Sequence, residues 1–316
     1  MLRKTNDFKS LYGTKKLLNR KDNQMNYSKA MKYYTKLSNN QKEYVKQFKI
    51  AHSEKSMCID GVIWNYFDSE KGDESLLLLH GGFVDFDMWI HQIMEFKKEY
   101  RIIAPTCPVL PKPVMKVYSD ALHQILIKEK IIKTNLIGYS EGGLIAQCFL
   151  RDYSSTISKA ILSQTFYPSN EIRYYKNDFK LFKILPSFLT TLIFRLAAKP
   201  DKEELNHDST EWIEWYKCYF KEIKYKLTKE KIITHINLMS DFVRNYIFNA
   251  KDLISWKGKM LITVSKDDVI LKYFDGLRKL YPNAEYHMFP NGLGAHSIGL
   301  ITPSIYNKRI SLFLKQ

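Results

Sequence analysis

The sequence predicts an α/β fold in which a mostly parallel sheet has helices on both faces and a block of helices interrupts the pattern late in the chain. Short apolar runs that favour strands alternate with helical patterns from about residue 48 to 165, and the alternation resumes at Gly258. This order is typical of a parallel sheet, because parallel strands need the long connections that helices provide. Between residues 166 and 254 only helical patterns occur, so we expect a cap inserted into the sheet.

The first predicted strands begin after Phe48, where the polar, Lys- and Asn-rich N-terminal segment gives way to apolar runs. The segment KSMCIDGVIWNYF contains two β-favouring runs around Asp60 and Gly61, and the apolar run at residues 76–79 predicts a further strand that enters a glycine-rich loop. The segment HQIMEFKKEY is helical, and RIIAP is a short buried strand. The following CPVLPKPV is a loop, because its prolines continue neither element.

The remaining elements alternate in the same way. Apolar residues at positions 117, 121, 122 and 125 lie on one face of a predicted helix. After it come the strand TNLIG, the helix EGGLIAQCFLRDY and the strand KAILSQ; beyond the helical block come the strand GKMLITVS, the helix LKYFDGLRKLY, the strand AEYHMF and a terminal helix. We therefore expect a basic N-terminal extension at 1–46, an α/β core at 47–165 and 253–316, and a helical cap at 166–252.

The cap contains two notable apolar stretches. In residues 179–196 we expect most apolar side chains to pack in a core, with a lining for an apolar substrate group or an interfacial surface as the alternatives. Pro186 should break or kink this stretch. The aromatic segment EWIEWYKCYF predicts cap core or a pocket wall rather than a base-stacking surface, because no clustered basic residues accompany it.

The formal net charge of +16 would suit a nucleic-acid partner if it covered a binding face. Most of the excess instead lies at the N-terminus, where residues 1–55 hold 14 Lys and Arg against 4 Asp and Glu. No signature of a nucleic-acid-binding domain accompanies it, so we expect a solvated basic arm and no nucleic-acid partner. Weak attraction to an anionic membrane surface or a polyanion is the alternative.

The cysteines and the apolar runs bear on location. The four cysteines are far apart and never in C-x-x-C spacing, which signals neither a zinc site nor a redox pair. The positive charge at the N-terminus is not followed by an apolar run, and no stretch reaches the length of a membrane span. We therefore expect a cytoplasmic protein with reduced thiols and no stable membrane insertion, and its oligomeric state is left open.

The segment LIGYSEGG contains the pattern G-x-S-x-G, with Ser140 between Gly138 and Gly142 at a predicted strand-to-helix turn. So sharp a turn strains the backbone of the serine, and only glycines two positions away avoid a clash. The turn would lift the hydroxyl above the sheet, beside the N-terminus of the next helix, where a backbone N–H faces a developing oxyanion. We expect Ser140 to be a nucleophile, with a structural turn as the alternative.

A serine nucleophile needs a base that a carboxylate orients. Asp267 and Asp268 directly follow a predicted strand, and either could be that carboxylate. His296 lies in the glycine-rich loop FPNGLGAHSIG after the next strand. Six of the other histidines lie on predicted helices, in the extension or cap, or inside a strand, and none has such a loop, so His296 is the expected general base.

A second glycine-rich loop would supply the oxyanion hole. The strand at 76–79 ends in His80-Gly81-Gly82, and the backbone N–H of Gly82, or of Phe83 as second choice, would meet the carbonyl oxygen together with that of Glu141. We expect His80 to brace this loop rather than to carry a proton. The side chain of Glu141 is expected in solvent or in a salt bridge.

With these four motifs in this order, residues 48–316 resemble the α/β-hydrolase superfamily. The resemblance implies an eight-stranded, mostly parallel sheet, a cap after the sixth strand and acyl-enzyme chemistry at Ser140. It also favours Asp268 over Asp267, because Asp268 stands where the family pattern G-x-x-D-x-I has its acid, with Ser265 in place of the glycine.

Two stretches, DGVIWNYFDSEKGDESLLLLHGG and LRKLYPNAEYHMFPNGLGAHS, are similar to maspardin-like proteins, some of which lack a complete triad. This chain departs from that pattern by having His296, so inactivity is not implied. The sequence as a whole predicts a serine hydrolase that cleaves a carboxylic ester, thioester or lactone of a small, partly apolar substrate, with no cofactor and no metal. The alternatives are a catalytically weak ligand-binding or adaptor protein, a C–C bond hydrolase or a peptidase on the same fold.

Overall fold

The computed structural model describes residues 31–51, 54–168, 180–198, 200 and 212–316. These residues form one eight-stranded sheet with helices on both faces, as the sequence predicted. The strands are β1 (Glu54–Ile59), β2 (Val62–Asp68), β3 (Glu74–Leu79), β4 (Tyr100–Pro105), β5 (Thr134–Tyr139), β6 (Ile157–Ser163), β7 (Lys259–Ser265) and β8 (Glu285–Phe289). The α-helices are α1 (Asn39–Ala51), α2 (Ile90–Phe96), α3 (Met115–Lys128), α4 (Glu141–Asp152), α5 (Lys180–Ile184), α6 (Ser187–Ala197), α7 (Ile213–Lys226), α8 (Lys229–Asn245), α9 (Phe274–Leu280), α10 (Ile298–Ile301) and α11 (Pro303–Leu314).

The order of strands in the sheet is β1-β2-β4-β3-β5-β6-β7-β8. Strands β1 and β2 form a hairpin, β2 is antiparallel to β4, and every other neighbouring pair is parallel. In the register of the central strands, Leu79 of β3 lies opposite Gly138 of β5. The loops that follow these two strands therefore leave the same edge of the sheet side by side.

The central strands are buried on both faces, which explains their continuous apolar runs. In β3, Leu77 and Leu79 pack with helices α3 and α4 on one face of the sheet. Leu76 and Leu78 point to the opposite face and pack with α1, α2 and α11. Successive side chains of a strand alternate between faces, so one run of four leucines contributes to both cores.

The N-terminal segment differs from its sequence prediction as a solvated arm. Residues 1–30 lie outside the described residues, but Tyr34, Leu37, Val45 and Phe48 are buried in the core formed with α2 and α11. Residues 31–46 are mostly polar and rich in lysine, but their few apolar side chains pack towards the sheet. The folded body therefore begins before residue 47.

Charged groups attach this segment as well. The Nζ of Lys49 on α1 lies 2.9 Å from Asp87 Oδ2 and 3.2 Å from Glu222 Oε1 of α7. The hydroxyl of Tyr34 donates to Glu222 Oε2 at 2.5 Å. Part of the excess positive charge is thus used in pairing with carboxylates at the junction between α1 and α7.

Helices α5 to α8, which we call the helical insertion, lie between β6 and β7. Pro186 precedes α6 and separates it from α5, as expected from its missing N–H. The apolar stretch is only partly packed: Phe194 contacts Phe83 and Phe182, whereas four side chains at intervals of four residues are exposed, namely Ile184, Phe188, Leu192 and Leu196. None of the helices in the described ranges is long and apolar enough to cross a bilayer.

We expect Phe48→Ala to lower the free energy of unfolding by about 3–5 kcal/mol, because it removes a fully packed aromatic ring and leaves a cavity. The exposed neighbour Gln47 on the same helix is the matched control, and Gln47→Ala should change it by less than about 0.5 kcal/mol. Urea titration of the full chain measures both. Equal unfolding midpoints for the two variants would show that α1 does not belong to the cooperative core.

Candidate active site

One residue separates strand β5 from helix α4, and that residue is Ser140. Its backbone has φ 54° and ψ −119°, a conformation that residues with side chains rarely adopt. Two hydrogen bonds hold it: its N–H donates to the carbonyl of Ser163 at 2.9 Å, and its own carbonyl accepts from Thr165 Oγ1 at 2.7 Å. The sharp turn expected from the serine motif is therefore present at the carboxyl edge of the sheet.

The flanking glycines are required by contacts across this turn. A Cβ atom at Gly138 would lie 2.4 Å from the carbonyl oxygen of Gly142. A Cβ atom at Gly142 would lie 2.1 Å from the carbonyl oxygen of Leu79 in β3. Backbone atoms cannot yield to such overlaps without moving α4 away from the sheet. The spacing of the motif thus follows from the close approach of α4 to two strands.

Of the three residues expected to share the chemistry, His296 lies within hydrogen-bonding distance of both others. His296 Nδ1 is 2.9 Å from Asp268 Oδ2, and His296 Nε2 is 3.0 Å from Ser140 Oγ. Because an ionised carboxylate only accepts, the Nδ1 proton points to Asp268, and the lone pair of Nε2 faces the serine hydroxyl. The Asp268 carboxylate is buried, and its Oδ1 also accepts from the N–H of Ile270 at 3.0 Å.

Asp267, the alternative acid, has a different place. Its Oδ2 accepts a hydrogen bond of 2.9 Å from the backbone N–H of Gly292, in the loop that carries His296. It thus connects the loop after β7 to the loop after β8, whereas the 2.9 Å hydrogen bond to the imidazole is formed by Asp268. The structure places Asp268, the residue favoured by the family resemblance, beside the histidine.

Ser265, which stands where the family pattern has glycine, contributes a further connection. Its hydroxyl donates to the carbonyl of Ala295 at 2.9 Å and accepts from the side-chain amide of Gln164 at 2.9 Å. Ala295 directly precedes His296 and has a positive φ of 45°. The departure from the pattern therefore supplies a hydrogen bond that holds the histidine loop against β7, which the sequence alone did not reveal.

The sequence assigned three backbone N–H groups to an oxyanion hole, those of Gly82, Phe83 and Glu141. The loop after β3 passes beside the serine, so that a Cβ atom at Gly81 would lie 3.5 Å from Ser140 Cβ. The N–H of Gly81 itself donates to Met88 Sδ at 3.1 Å and is used within the loop. Phe83 has a positive φ of 66°, and Glu141 supplies the first N–H of α4. The loop and the helix N-terminus thus meet next to Ser140.

His80 braces this loop. The backbone N–H of Cys107 donates to its Nε2 at 3.0 Å, so the remaining ring proton lies on Nδ1, which donates to the carbonyl of Gly81 at 2.7 Å. The ring is buried, and burial lowers the pKa of His80 to about 4. A neutral imidazole with both nitrogens bonded to backbone fits the expected bracing role.

The side chain of Glu141 is buried and paired rather than solvated. Its Oε1 lies 2.6 Å from Nδ1 of His235, a fully buried histidine on α8. The sequence left a salt bridge open for Glu141 but gave His235 no role, because the partners are 94 residues apart and share no local pattern. The structure thus adds His235 to the surroundings of Ser140.

A cavity of about 300 Å³ opens beside Ser140 and His296. One wall is the loop after β3, and the other is a face of α7 that presents Tyr216, Tyr219, Phe220 and Ile223. No Asp, Glu, Lys or Arg lines this cavity in the part of the chain that the structure describes. The aromatic segment of the helical insertion therefore forms a pocket wall, as one reading of the sequence expected.

No protein-family model matches the chain, and no curated protein matches it in sequence. Several solved structures, however, match it in fold. Naproxen esterase (carboxylesterase NP) from Bacillus subtilis matches with a TM-score of 0.61 at 18% identity, over 88% of this chain and 99% of the esterase. MGS-M2, an α/β hydrolase from a deep-sea metagenome library of the Medee basin, matches with a TM-score of 0.68 at 17% identity, over 83% of this chain and 98% of its own. A meta-cleavage product hydrolase from Pseudomonas fluorescens matches with a TM-score of 0.57 at 18% identity, over 83% of this chain and 97% of its own.

These likenesses show a shared fold, since all three identities are below 20%. The chain has the α/β-hydrolase fold, as its sequence predicted. The resemblance to maspardin-like proteins stays a prediction, as do the roles of the individual site residues.

The buried His80 makes stability fall in mild acid. In the unfolded chain it binds a proton below about pH 6.5, but in the folded chain only below about 4. The unfolded state therefore gains a proton first, and the free energy of unfolding should decrease by about 3 kcal/mol as the pH falls from about 6.5 to 4. Urea titrations of the wild type and of His80→Asn across this range measure the difference.

The His80→Asn variant should be less stable than the wild type at pH 7, but its free energy of unfolding should decrease less as the pH falls to about 4. Buried His91 remains in both proteins and supplies a common background, since burial lowers its pKa to about 3. If the two proteins lose equal stability across this pH range, His80 is not the source of the effect.

Proposed function

We propose that this chain, whose fold is that of the α/β-hydrolases, is a serine hydrolase that cleaves a carboxylic ester, thioester or lactone through an acyl-enzyme intermediate. One observation carries the proposal: the series of hydrogen bonds from Ser140 Oγ to His296 Nε2 (3.0 Å) and from His296 Nδ1 to Asp268 Oδ2 (2.9 Å). A nucleophile, a base and an orienting acid in this geometry are what acyl transfer requires.

In the first half of the proposed reaction, Ser140 Oγ attacks the carbonyl carbon of the substrate while its proton passes to His296 Nε2. Asp268 stabilises the imidazolium that forms, and the N–H groups near Gly82 and Glu141 hold the negative oxygen of the tetrahedral intermediate. Collapse of the intermediate breaks the bond to the leaving alcohol or thiol, which takes the proton from His296. Ser140 is left acylated.

In the second half, His296 removes a proton from water, and the resulting hydroxide attacks the acyl carbon. The second tetrahedral intermediate expels Ser140 Oγ, which recovers the proton from His296, and the carboxylic acid leaves. Every proton is returned, and no cofactor or metal is required by this sequence of steps.

The cavity supports a small, mostly apolar and uncharged substrate. Its volume of about 300 Å³ is at the lower end of the usual range for ligand pockets. Aromatic and aliphatic side chains of α7 would contact an apolar group, whereas an ionic group would meet no Asp, Glu, Lys or Arg among the described lining residues.

A second reaction on the same residues is C–C bond hydrolysis. The observation that favours it is the match to the meta-cleavage product hydrolase. That structure has the same fold and covers 83% of this chain, compared with 88% for naproxen esterase. The buried Asp268 and the serine-histidine contact serve either reaction. Direct assay with esters and with a meta-cleavage product distinguishes the two reactions.

We also propose a small-molecule partner and a cytoplasmic setting. All four cysteines are free, and three of them are buried. A reducing compartment would keep the exposed Cys58 from forming disulfides between molecules.

Labelling with a fluorophosphonate probe tests the nucleophile. The wild type should react, and Ser140→Ala should not, because the probe phosphonylates an activated serine oxygen. Ser119→Ala is the control: Ser119 is fully buried on α3 and does not line the cavity, so its variant should label like the wild type.

A folded wild type that does not label would point to a ligand-binding or adaptor protein instead. Equal labelling of wild type and Ser140→Ala would assign the reaction to another residue. Either result contradicts the proposed function.

The acid is tested by replacing each aspartate with its amide. Asp268→Asn should lower kcat for ester hydrolysis by about 10³- to 10⁴-fold, because the amide does not stabilise the imidazolium and disturbs its tautomer. Asp267→Asn should change kcat by less than about tenfold, since the amide oxygen can still accept from Gly292. Steady-state kinetics with a p-nitrophenyl ester measures both. The reverse order of effects would assign the acid to Asp267.

A further inference from the structure

The residue that follows the proposed nucleophile has a buried side chain whose partner comes from a distant helix. Glu141 is 3% exposed, and its Oε1 forms a 2.6 Å hydrogen bond with His235 of α8 in the helical insertion. His235 is fully buried. A short polar contact in so dry a place is strong and holds both side chains in one arrangement, because water cannot replace either partner.

The same two side chains contact the loop after β3. A Cβ atom at Gly82 would lie 3.1 Å from Glu141 Oε2, so the carboxylate lies directly against this glycine. The ring of Phe83 packs on the ring of His235, with their centroids 5.1 Å apart. Phe83 also contacts Phe194 of α6, with ring centroids 5.7 Å apart.

Phe83 needs this support because its backbone is strained. A φ of 66° is unfavourable for a residue with a Cβ atom and persists only where the surroundings enforce it. The contacts that enforce it come from His235 of α8 and Phe194 of α6, two helices of the helical insertion. The conformation of the loop therefore depends on groups outside the α/β sheet and its own helices.

We propose that the pair Glu141–His235 positions the N–H donors of the oxyanion hole, so that α8 completes the catalytic site. This inference rests on the proposed function. The pair fixes Glu141, whose own N–H is one donor, and it supports Gly82 and Phe83, which carry the others. Neither paired side chain lines the cavity, so both are positioning residues rather than substrate-binding residues.

Loss of the pair should affect binding of the transition state and binding of the substrate differently. Oxyanion donors must lie 2.7–3.1 Å from the oxygen of the tetrahedral intermediate, and they act on that state more than on the bound substrate. Loosening Gly82, Phe83 and Glu141 should therefore weaken transition-state binding and leave ground-state binding nearly unchanged. A role confined to packing would weaken both together.

The experiment compares two inhibitors on the full-length protein. An alkyl trifluoromethyl ketone adds to Ser140 and places a negative oxygen in the oxyanion hole, whereas the methyl ketone of equal chain length binds without adding appreciably. For Glu141→Ala and His235→Leu we expect kcat with p-nitrophenyl butyrate to fall by about 10- to 100-fold, with KM changed less than about threefold. The Ki of the trifluoromethyl ketone should rise in parallel with the loss of kcat, and that of the methyl ketone by less than about threefold.

Conservative variants should restore function. Glu141→Gln keeps an oxygen that accepts from His235, and His235→Asn places an amide nitrogen close to the position of Nδ1. Both should retain kcat within about fivefold of the wild type. Thr234→Val is the matched control, because Thr234 is buried next to His235 on the same helix and its Oγ1 accepts from the N–H of Leu110 at 3.3 Å. It should leave kcat and the ratio of the two inhibition constants unchanged.

A single truncation could leave a buried polar group without a partner and unfold the protein. The double variant Glu141→Met/His235→Leu removes both groups, and apolar replacement of a buried pair usually preserves folding. It should fold, as judged by thermal unfolding, and still show the selective loss of trifluoromethyl ketone binding. Equal weakening of both ketones, or wild-type kcat in the double variant, would overturn the proposal.

Failure of the proposed function gives a different result. In that case the wild type neither hydrolyses the ester nor forms a covalent adduct with the trifluoromethyl ketone. An active wild type whose kcat does not respond to loss of the pair leaves the serine hydrolase intact and rejects only the positioning role.

Discussion

The close approach of α4 to the carboxyl ends of β3 and β5 is the constraint on which the rest of the site depends. It leaves one residue, Ser140, to make the whole turn, and it excludes side chains at Gly138 and Gly142 by direct overlap with backbone. The strain at Ser140 is balanced by hydrogen bonds to β6 and to the loop beyond it. With the serine fixed, the loops after β3, β7 and β8 need only reach the same edge of the sheet for their polar groups to meet.

Much of this arrangement could be predicted from the sequence because it follows from local rules. Strand and helix periodicity gave the alternation, and the parallel order puts the loops that carry Gly82, Asp268 and His296 at one edge. Motif spacing identified Ser140 because the glycine requirement is local to the turn. The choice between Asp267 and Asp268 needed the structure or the family pattern, since both follow β7 and only the chain path decides which carboxylate faces the imidazole.

The features that sequence reasoning missed all depend on long-range contacts. The lysine-rich composition did not indicate the burial of Tyr34 and Phe48, although Val45 and Phe48 are three residues apart on α1 and lie on one face of that helix. Glu141 and His235 are far apart in the chain, and neither residue type predicts the other. The exposed apolar row that includes Phe188 could not be separated from core packing, because helical periodicity identifies a common face without saying what that face meets.

The attachment of α1 to α7 has a consequence for motion. The wall of the cavity that presents Tyr219 belongs to the same helix as Glu222, whose carboxylate is held by Tyr34 and by Lys49. Ser297, next to His296, also donates to Tyr216 of this helix at 3.1 Å. A movement of α7 away from the sheet alone would break its contacts with Tyr34, Lys49 and Ser297. The contacts that hold α1 against α7 therefore also stabilise the closed wall of the cavity, so loss of either contributes to the free energy of the other.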